Sequence, residues 1–288
     1  MNSFRIQTEV FRFLKWALIV FLLIVTIFPF YYMIVMSFVP IQDLLRNPLA
    51  LVPDIGQLTL DTYVRVIAPE GDGGFGFGRF MLNSAIVATA ATLLTMLLSV
   101  PASYAMTRLK FAGRKQVSAM FLAVYMFPAI IIAVPVFVGF QVIGLGTTLV
   151  GLTIAYIALT VPVSVHMLRS YMLGLPESID EAAMIDGATR WQIMRKITVP
   201  LSLPTIMSTA LYSFMIAWNE FLFALLFLSA KPDLWTVSLG LTRLADGQEV
   251  SRTILMAGSV LLTLPIVIMY GFAERWLTEG LTVGADKG

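Results

Sequence analysis

Long apolar runs separated by short polar links dominate the chain. Six runs can be delimited, over residues 15–38, 80–106, 117–143, 147–168, 201–228 and 254–273. Each is long enough to cross a bilayer, which takes ~20 apolar residues for ~30 Å of hydrocarbon. None alternates apolar and polar positions as a barrel strand would, and lipid offers backbone groups no partner, so every run is expected to be helical. No small-x-small cleavage pattern clearly follows the first run, which reads as a retained span. Pro128, Pro135, Pro162 and Pro265 interrupt runs and are expected either to kink helices around a cavity or to be tolerated there. The expected fold is an all-α integral membrane protein with six transmembrane helices.

Composition agrees. Of 288 residues, 58% are hydrophobic and 12% charged, where a soluble domain carries about 25% charged residues. The net charge of +2 is too small to suggest a nucleic-acid partner. There is no Cys and a single His, His166. Thiolate and multi-histidine metal sites are therefore excluded, and His166 is expected to be a packing residue rather than a ligand. The Gly-rich stretch "EGDGGFGFG" lacks a phosphate-binding pattern and reads as a flexible connector.

The basic residues set an orientation. Arg5, Arg12 and Lys15 flank the first run, Arg108, Lys110, Arg114 and Lys115 link the second to the third, and Arg169, Arg190, Arg195 and Lys196 link the fourth to the fifth. With alternating spans these fall on one side, which the positive-inside rule makes the cytoplasm. Both termini are then cytoplasmic. Residues 1–14 form an N-terminal segment, 15–274 the membrane domain and 275–288 a C-terminal tail. Residues 39–79 lie outside, with Asp43, Asp54, Asp61, Glu70 and Asp72 outnumbering the bases. Residues 169–200 are an inward-facing loop.

That loop contains a polar island, "ESIDEAAMIDGATRWQIMRKITVPLSLP". Ser178-Ile179-Asp180-Glu181 is a potential capping box, with Asp180 and Glu181 placed in a first turn that favours acids. Ala182 and Ala183 are small enough for close approach to a partner. Gly187 is suited to end the helix in the left-handed conformation. Thr189-Arg190-Trp191-Gln192 is a second capping box, and the helix it starts is expected to stop near Val199, before Pro200. The island thus reads as two short surface helices bent at Gly187.

The spacing Glu181-Ala182-Ala183, three residues, Gly187, nine residues, Ile197-Thr198-Val199-Pro200 resembles the EAA loop of ABC importer permeases. Val199 stands where that loop usually has Leu. "WNEFLFAL", residues 218–225, looks like the fifth-span segment of carbohydrate importers, and "ERWLTEGLTVGADKG" is similar to the tail of the maltose-type permease with six spans. The chain therefore resembles the smaller inner-membrane permease of carbohydrate ABC importers. The resemblance implies the type I importer permease fold in a bacterial inner membrane. It implies a second permease, two ATPase subunits and an extracellular or periplasmic solute-binding protein as partners. Glu181, Ala182, Ala183, Asp186, Gly187, Arg190, Ile197 and Pro200 would then form the coupling element that docks into a groove of an ATPase. No G-x-x-x-x-G-K-[ST] pattern occurs, so no cofactor is expected on this chain; ATP and Mg belong to the partner ATPases.

Glu220 is the one acid placed within a span, ~12 Å from the outer end of the fifth helix at ~1.5 Å per residue. A carboxylate at that depth must be paired, wetted or facing the bundle interior. With Trp218 and Asn219 it suits sugar chemistry, offering an aromatic face and hydrogen-bonding groups. Successive helical positions diverge by ~100°, so the three cannot line one wall. The alternative for Glu220 is a structural bond to a neighbouring helix or backbone. Gln141 and Tyr156, and also Tyr125, are weaker pathway candidates. Neither H-E-x-x-H nor G-x-S-x-G is present, which argues against an intramembrane enzyme. A lone intramembrane acid argues against an ion-driven transporter.

Overall fold

In the computed structural model, residues 2–42, 55–246 and 252–285 are described. Asp43 and Asp54 of the expected outer segment lie outside the described residues, as do the side chains of Tyr125 and of the tail, residues 275–288. Among the described residues all regular structure is helical. In chain order the principal helices are α1 (Asn2–Phe38), α2 (Asp61–Ile67), α3 (Phe77–Arg108), α4 (Arg114–Met126) and α5 (Ala129–Val142). They are followed by α6 (Leu149–Met172), α7 (Glu177–Ile185), α8 (Arg190–Leu201), α9 (Leu203–Asn219), α10 (Leu222–Leu228), α11 (Val237–Asp246) and α12 (Arg252–Ala285).

Four helices, α1, α3, α6 and α12, contain stretches long and apolar enough to span a membrane. Two further pairs qualify only as bent spans, α4 with α5 at 101° and α8 with α9 at 77°, so the described residues hold four spans or up to six. The expected third span, 117–143, is thus broken where Phe127 and Pro128 turn extended, because the proline ring disfavours helix at the residue before it. The expected fifth span, 201–228, breaks at Glu220, whose backbone is also extended. Pro135, Pro162 and Pro265 instead sit within continuous helices.

The chain divides into two compact units, residues 1–76 with 243–261, and residues 77–242 with 262–288. In the first, α1 buries none of its most apolar stretch within the chain, a surface that only lipid or a partner can cover. Its end is tied down by Ser37, fully buried, whose Oγ lies 2.6 Å from the Tyr63 hydroxyl on α2. The Phe38 and Tyr63 rings meet in a tilted contact with centroids 5.0 Å apart. Burial lifts the Tyr63 phenol above its ordinary range, against the opposing effect of the bond with Ser37.

The second unit is built on α3, α6 and α9, which pack on one another pairwise. One face of α3 presents Ser84, Ala88, Ala91, Thr95, Ser99 and Ser103, all buried, at helical spacing. Such small residues let backbones approach closely where lipid supplies no hydrophobic drive between helices. Hydroxyl pairs cross the seams: Thr95 to Thr160 at 2.7 Å between α3 and α6, and Ser164 to Ser213 at 3.0 Å between α6 and α9. At the other end of α3, the Asn83 amide donates to the carbonyls of Asp233 and Trp235, each at 3.0 Å.

Candidate functional site

The polar island forms the two expected short helices, with changes at its edges. Helix α7 starts at Glu177 after Pro176, and no side chain caps it. Ser178 therefore lies inside the first turn, and the expected first capping box is absent. Glu177 and Asp180 are the first-turn acids; Glu181 opens the next turn. Asp180 is buried and its carboxylate is taken by Arg108 from the end of α3, with Nε 3.0 Å from Oδ2. Glu177 stands 3.7 Å from the same guanidinium, and Arg108 Nη2 donates to the Leu175 carbonyl at 2.8 Å. One arginine thus anchors the start of the helix to a membrane span.

The end of α7 is as expected. Gly187 has φ +82, the N–H of Gly187 donates to the Met184 carbonyl at 3.0 Å, and that of Ala188 to the Ala183 carbonyl at 2.9 Å. These two bonds define a Schellman motif. The second capping box is also present: Gln192 N–H donates to Thr189 Oγ1 at 3.3 Å, and Thr189 N–H to Gln192 Oε1 at 2.8 Å. Helix α8 does not stop before Pro200. A π turn over Met194–Thr198 changes the carbonyl positions ahead of the proline, so its ring joins the helix, and the chain bends at Ser202 instead.

Burial sorts the island into two faces. Ala183, Ile193, Met194 and Thr198 point inward. Met194 packs with Tyr104 of α3 and Met172 of α6, flanked by Val100 and Val199. Glu181, Ala182, Asp186, Gly187, Arg190 and Pro200 are exposed, and Ile197 is half-buried. Ile185 and Trp191 are exposed beside them at 87% and 64%, an apolar centre ringed by charge.

The other sequence candidates gather around the break after α9. Trp218 is buried, stacked on Phe214 at 5.6 Å, and its indole N–H donates to the Leu262 carbonyl at 3.0 Å. Asn219 is exposed and donates to the Met215 carbonyl. The Glu220 carboxylate accepts the N–H groups of Phe223 (3.0 Å to either oxygen) and Ala224 (3.2 Å), so it caps α10. The main-chain carbonyl of Glu220 accepts from Ser238 Oγ at 2.6 Å and from the hydroxyl of fully buried Tyr156 at 3.4 Å. A helix break among apolar segments has its polar groups answered by side chains, as low dielectric demands. Glu220 also edges an otherwise apolar cavity of about 630 Å³ reaching Phe127, Ile154 and Pro162. Gln141 is not part of this group; it is exposed near the end of α5, against Gly146. His166 is exposed on α6 rather than packed. Among the described residues no cluster of His, Cys, Asp and Glu could hold a metal ion.

The geometry is that of a membrane-spanning bundle carrying an exposed, bent helical pair. Residues 96–282 match the family described as "Binding-protein-dependent transport system inner membrane component". The chain belongs to that family. It is 38% identical over 266 residues to the inner membrane ABC transporter permease protein YcjP of Escherichia coli, covering 92% of this chain and 93% of that one. It is 39% identical, with the same coverage, to the trehalose/maltose transport system permease protein MalG of Thermococcus litoralis. The arabinooligosaccharides transport system permease protein AraQ of Halalkalibacterium halodurans is 33% identical over 96% of this chain and 97% of that one. The crystal structure of a bacterial ABC transporter involved in import of the acidic polysaccharide alginate superposes with a TM-score of 0.74 at 20% identity, covering 93% of this chain and 97% of that one. Two of these relatives are named for trehalose/maltose and arabinooligosaccharides transport, and the fold is the ABC importer permease fold. These relatives are transport subunits of a membrane rather than enzymes.

Two features escaped sequence reasoning. Arg108 reads in the sequence only as a flanking positive charge, and its pairing across 72 positions with Asp180 carries no local signal. The capping role of Glu220 is legible only as an acid directly ahead of an apolar run, E-F-L-F.

Proposed function

We propose that this chain is the smaller permease of an ATP-driven, binding-protein-dependent importer of a sugar or oligosaccharide. It lines the pathway with a second, distinct permease, and two ATPase subunits supply ATP hydrolysis. Both termini and the 169–200 loop face the cytoplasm, while residues 39–79 face the solute-binding protein. The observation that carries the reading is the exposed pair α7–α8, bent by a Schellman glycine at the EAA spacing and riveted to α3 through Arg108. Closure of the ATPase pair on ATP pushes Glu181, Ala182, Asp186 and the Ile185–Trp191 centre. The stroke passes through Asp180–Arg108 to α3 and through Met194 to α6, because those contacts are dry and close-packed. Coupling requires that the docked pair favour one state of the pore over the other.

On this reading Asn219 and Glu220 lie on the pathway, with Tyr156 and Trp218 behind them. Sugar specificity follows the relatives, whose names cite trehalose/maltose, arabino-oligosaccharides and diacetylchitobiose. The test is uptake of these sugars into vesicles bearing the whole importer and its binding protein. ATP-dependent uptake that is lost when the ATPase is omitted is expected. Uptake by this chain alone, driven by an ion gradient, would overturn the reading.

A further inference from the structure

Where α3 ends, α4 begins and α6 approaches the polar loop, an open pocket of about 720 Å³ is lined by Lys110, Arg114, Lys115 and Arg169. No carboxylate lines it, and among the described residues none of these four cations forms an ion pair. Four like charges around one pocket repel each other, so the arrangement is incomplete without an anion.

Three details bear on where an anion would be held. Arg169 leans into the wall with its Nη1 3.5 Å from Ser118 Oγ, while its Nε is buried with no acceptor. An unanswered guanidinium N–H in a buried position is costly unless a ligand supplies the oxygen. Helix α4 starts with Arg114 and Lys115 in its first turn, no acid there, and Gly113 at its N-cap with no side-chain cap. Cations are the wrong sign for that end of a helix, and its first N–H groups are left unanswered by side chains. A phosphate would answer both. Phe111, Ala119 and Leu122 lie beside the cations, Gln116 and Ser118 add polar groups to the wall, and α4 continues with exposed Met120, Val124 and Met126.

Because the polar end of the pocket grades into an exposed apolar helix at the end of membrane spans, we propose that it binds the phosphate headgroup of an anionic lipid, with an acyl chain lying along α4. The guanidinium of Arg169 and the α4 N-terminus hold phosphate oxygens. Lys110 and Lys115 neutralise the remaining charge. A basic pocket between membrane helices is the chemistry that captures such headgroups.

The experiment uses the full chain in its purified importer, delipidated in mild detergent. Thermal unfolding is followed against phosphatidylglycerol, phosphatidylcholine and inorganic phosphate, and bound lipid is counted by mass spectrometry. Phosphatidylglycerol is expected to raise the melting temperature saturably and to be retained near one per copy of this chain. Lys110→Gln with Lys115→Gln, both at exposed positions, is expected to weaken its binding at least tenfold, and Arg169→Gln further. Arg12→Gln with Lys15→Gln, an equal charge change on α1, is expected to leave binding unchanged. Equal losses in the two double variants would reduce the effect to general surface charge and overturn the site. Equal stabilisation by inorganic phosphate would assign the pocket to a soluble anion and overturn the lipid. Stabilisation by phosphatidylcholine to the same degree would overturn the charge argument.

Discussion

Arg108 Nε stands 3.0 Å from Asp180 Oδ2, with both side chains almost fully out of solvent. Removing one member of a buried pair strands the other charge, at a cost of about 3–5 kcal/mol. Asp180→Asn is therefore expected to lower the thermal stability of the purified complex far more than Glu177→Gln, whose carboxylate is largely exposed. Replacing both partners, Arg108→Met with Asp180→Leu, is expected to recover much of that loss, since no lone charge remains. Unchanged melting of Asp180→Asn would show that the pair bears no load.

Gly187 has φ +82 and open space around the position a Cβ would take. Any penalty on substitution is then conformational, about 1–2 kcal/mol for an ordinary residue forced left-handed. Asn tolerates that region and a β-branched residue does not. Gly187→Asn is expected to keep most sugar uptake, and Gly187→Val to lose it or to uncouple ATP hydrolysis from it. Paired assays of ATPase rate and uptake read the difference; equal uptake in both variants would remove the bend from the mechanism.

Glu220 caps α10 with both carboxylate oxygens. Loss of a cap costs about 1 kcal/mol. Glu220→Gln keeps one acceptor and is expected to lose less stability than Glu220→Ala, measured by thermal unfolding. If uptake falls in step with stability, the cap is the reason. If Glu220→Gln stays stable and assembled yet loses uptake, the charge itself serves the pathway.

Gly240 on α11 faces Phe80 of α3, and a Cβ added there would overlap the phenyl ring. Phe80 is buried and cannot yield freely. Gly240→Ala is expected to destabilise by about 1–3 kcal/mol, the range for overpacking. Trimming the ring in Gly240→Ala with Phe80→Leu is expected to return part of that loss. Additive effects of the two changes in a thermal double-mutant cycle would show that the two sites do not touch.

The helical, lipid-facing class was legible because hydrocarbon permits few backbone solutions, and runs such as 15–38 announce one of them. Gly187 and the Thr189–Gln192 box were legible because caps are short-range: their partners lie within five residues. The same logic misled at Ser178, where Pro176 and Glu177 began the helix earlier and the capping hydroxyl was left inside the turn. Pro200 failed to end its helix because the π turn before it removed the clash on which the rule depends. Glu220 read as a buried acid in an unbroken span; the break it caps was hidden, since "WNEFLFAL" carries neither Pro nor Gly to mark it. Arg108 was invisible as a partner because its acid arrives from another helix.

The seat of α7 also limits how the loop can be exchanged. A graft of residues 177–192 into another scaffold would deliver the Asp180 carboxylate to a dry crevice, and only a host with a base at the end of its equivalent of α3 could receive it. Swaps between permeases should therefore inherit the arginine along with the loop, and a coupling segment and the span beneath it are one heritable module.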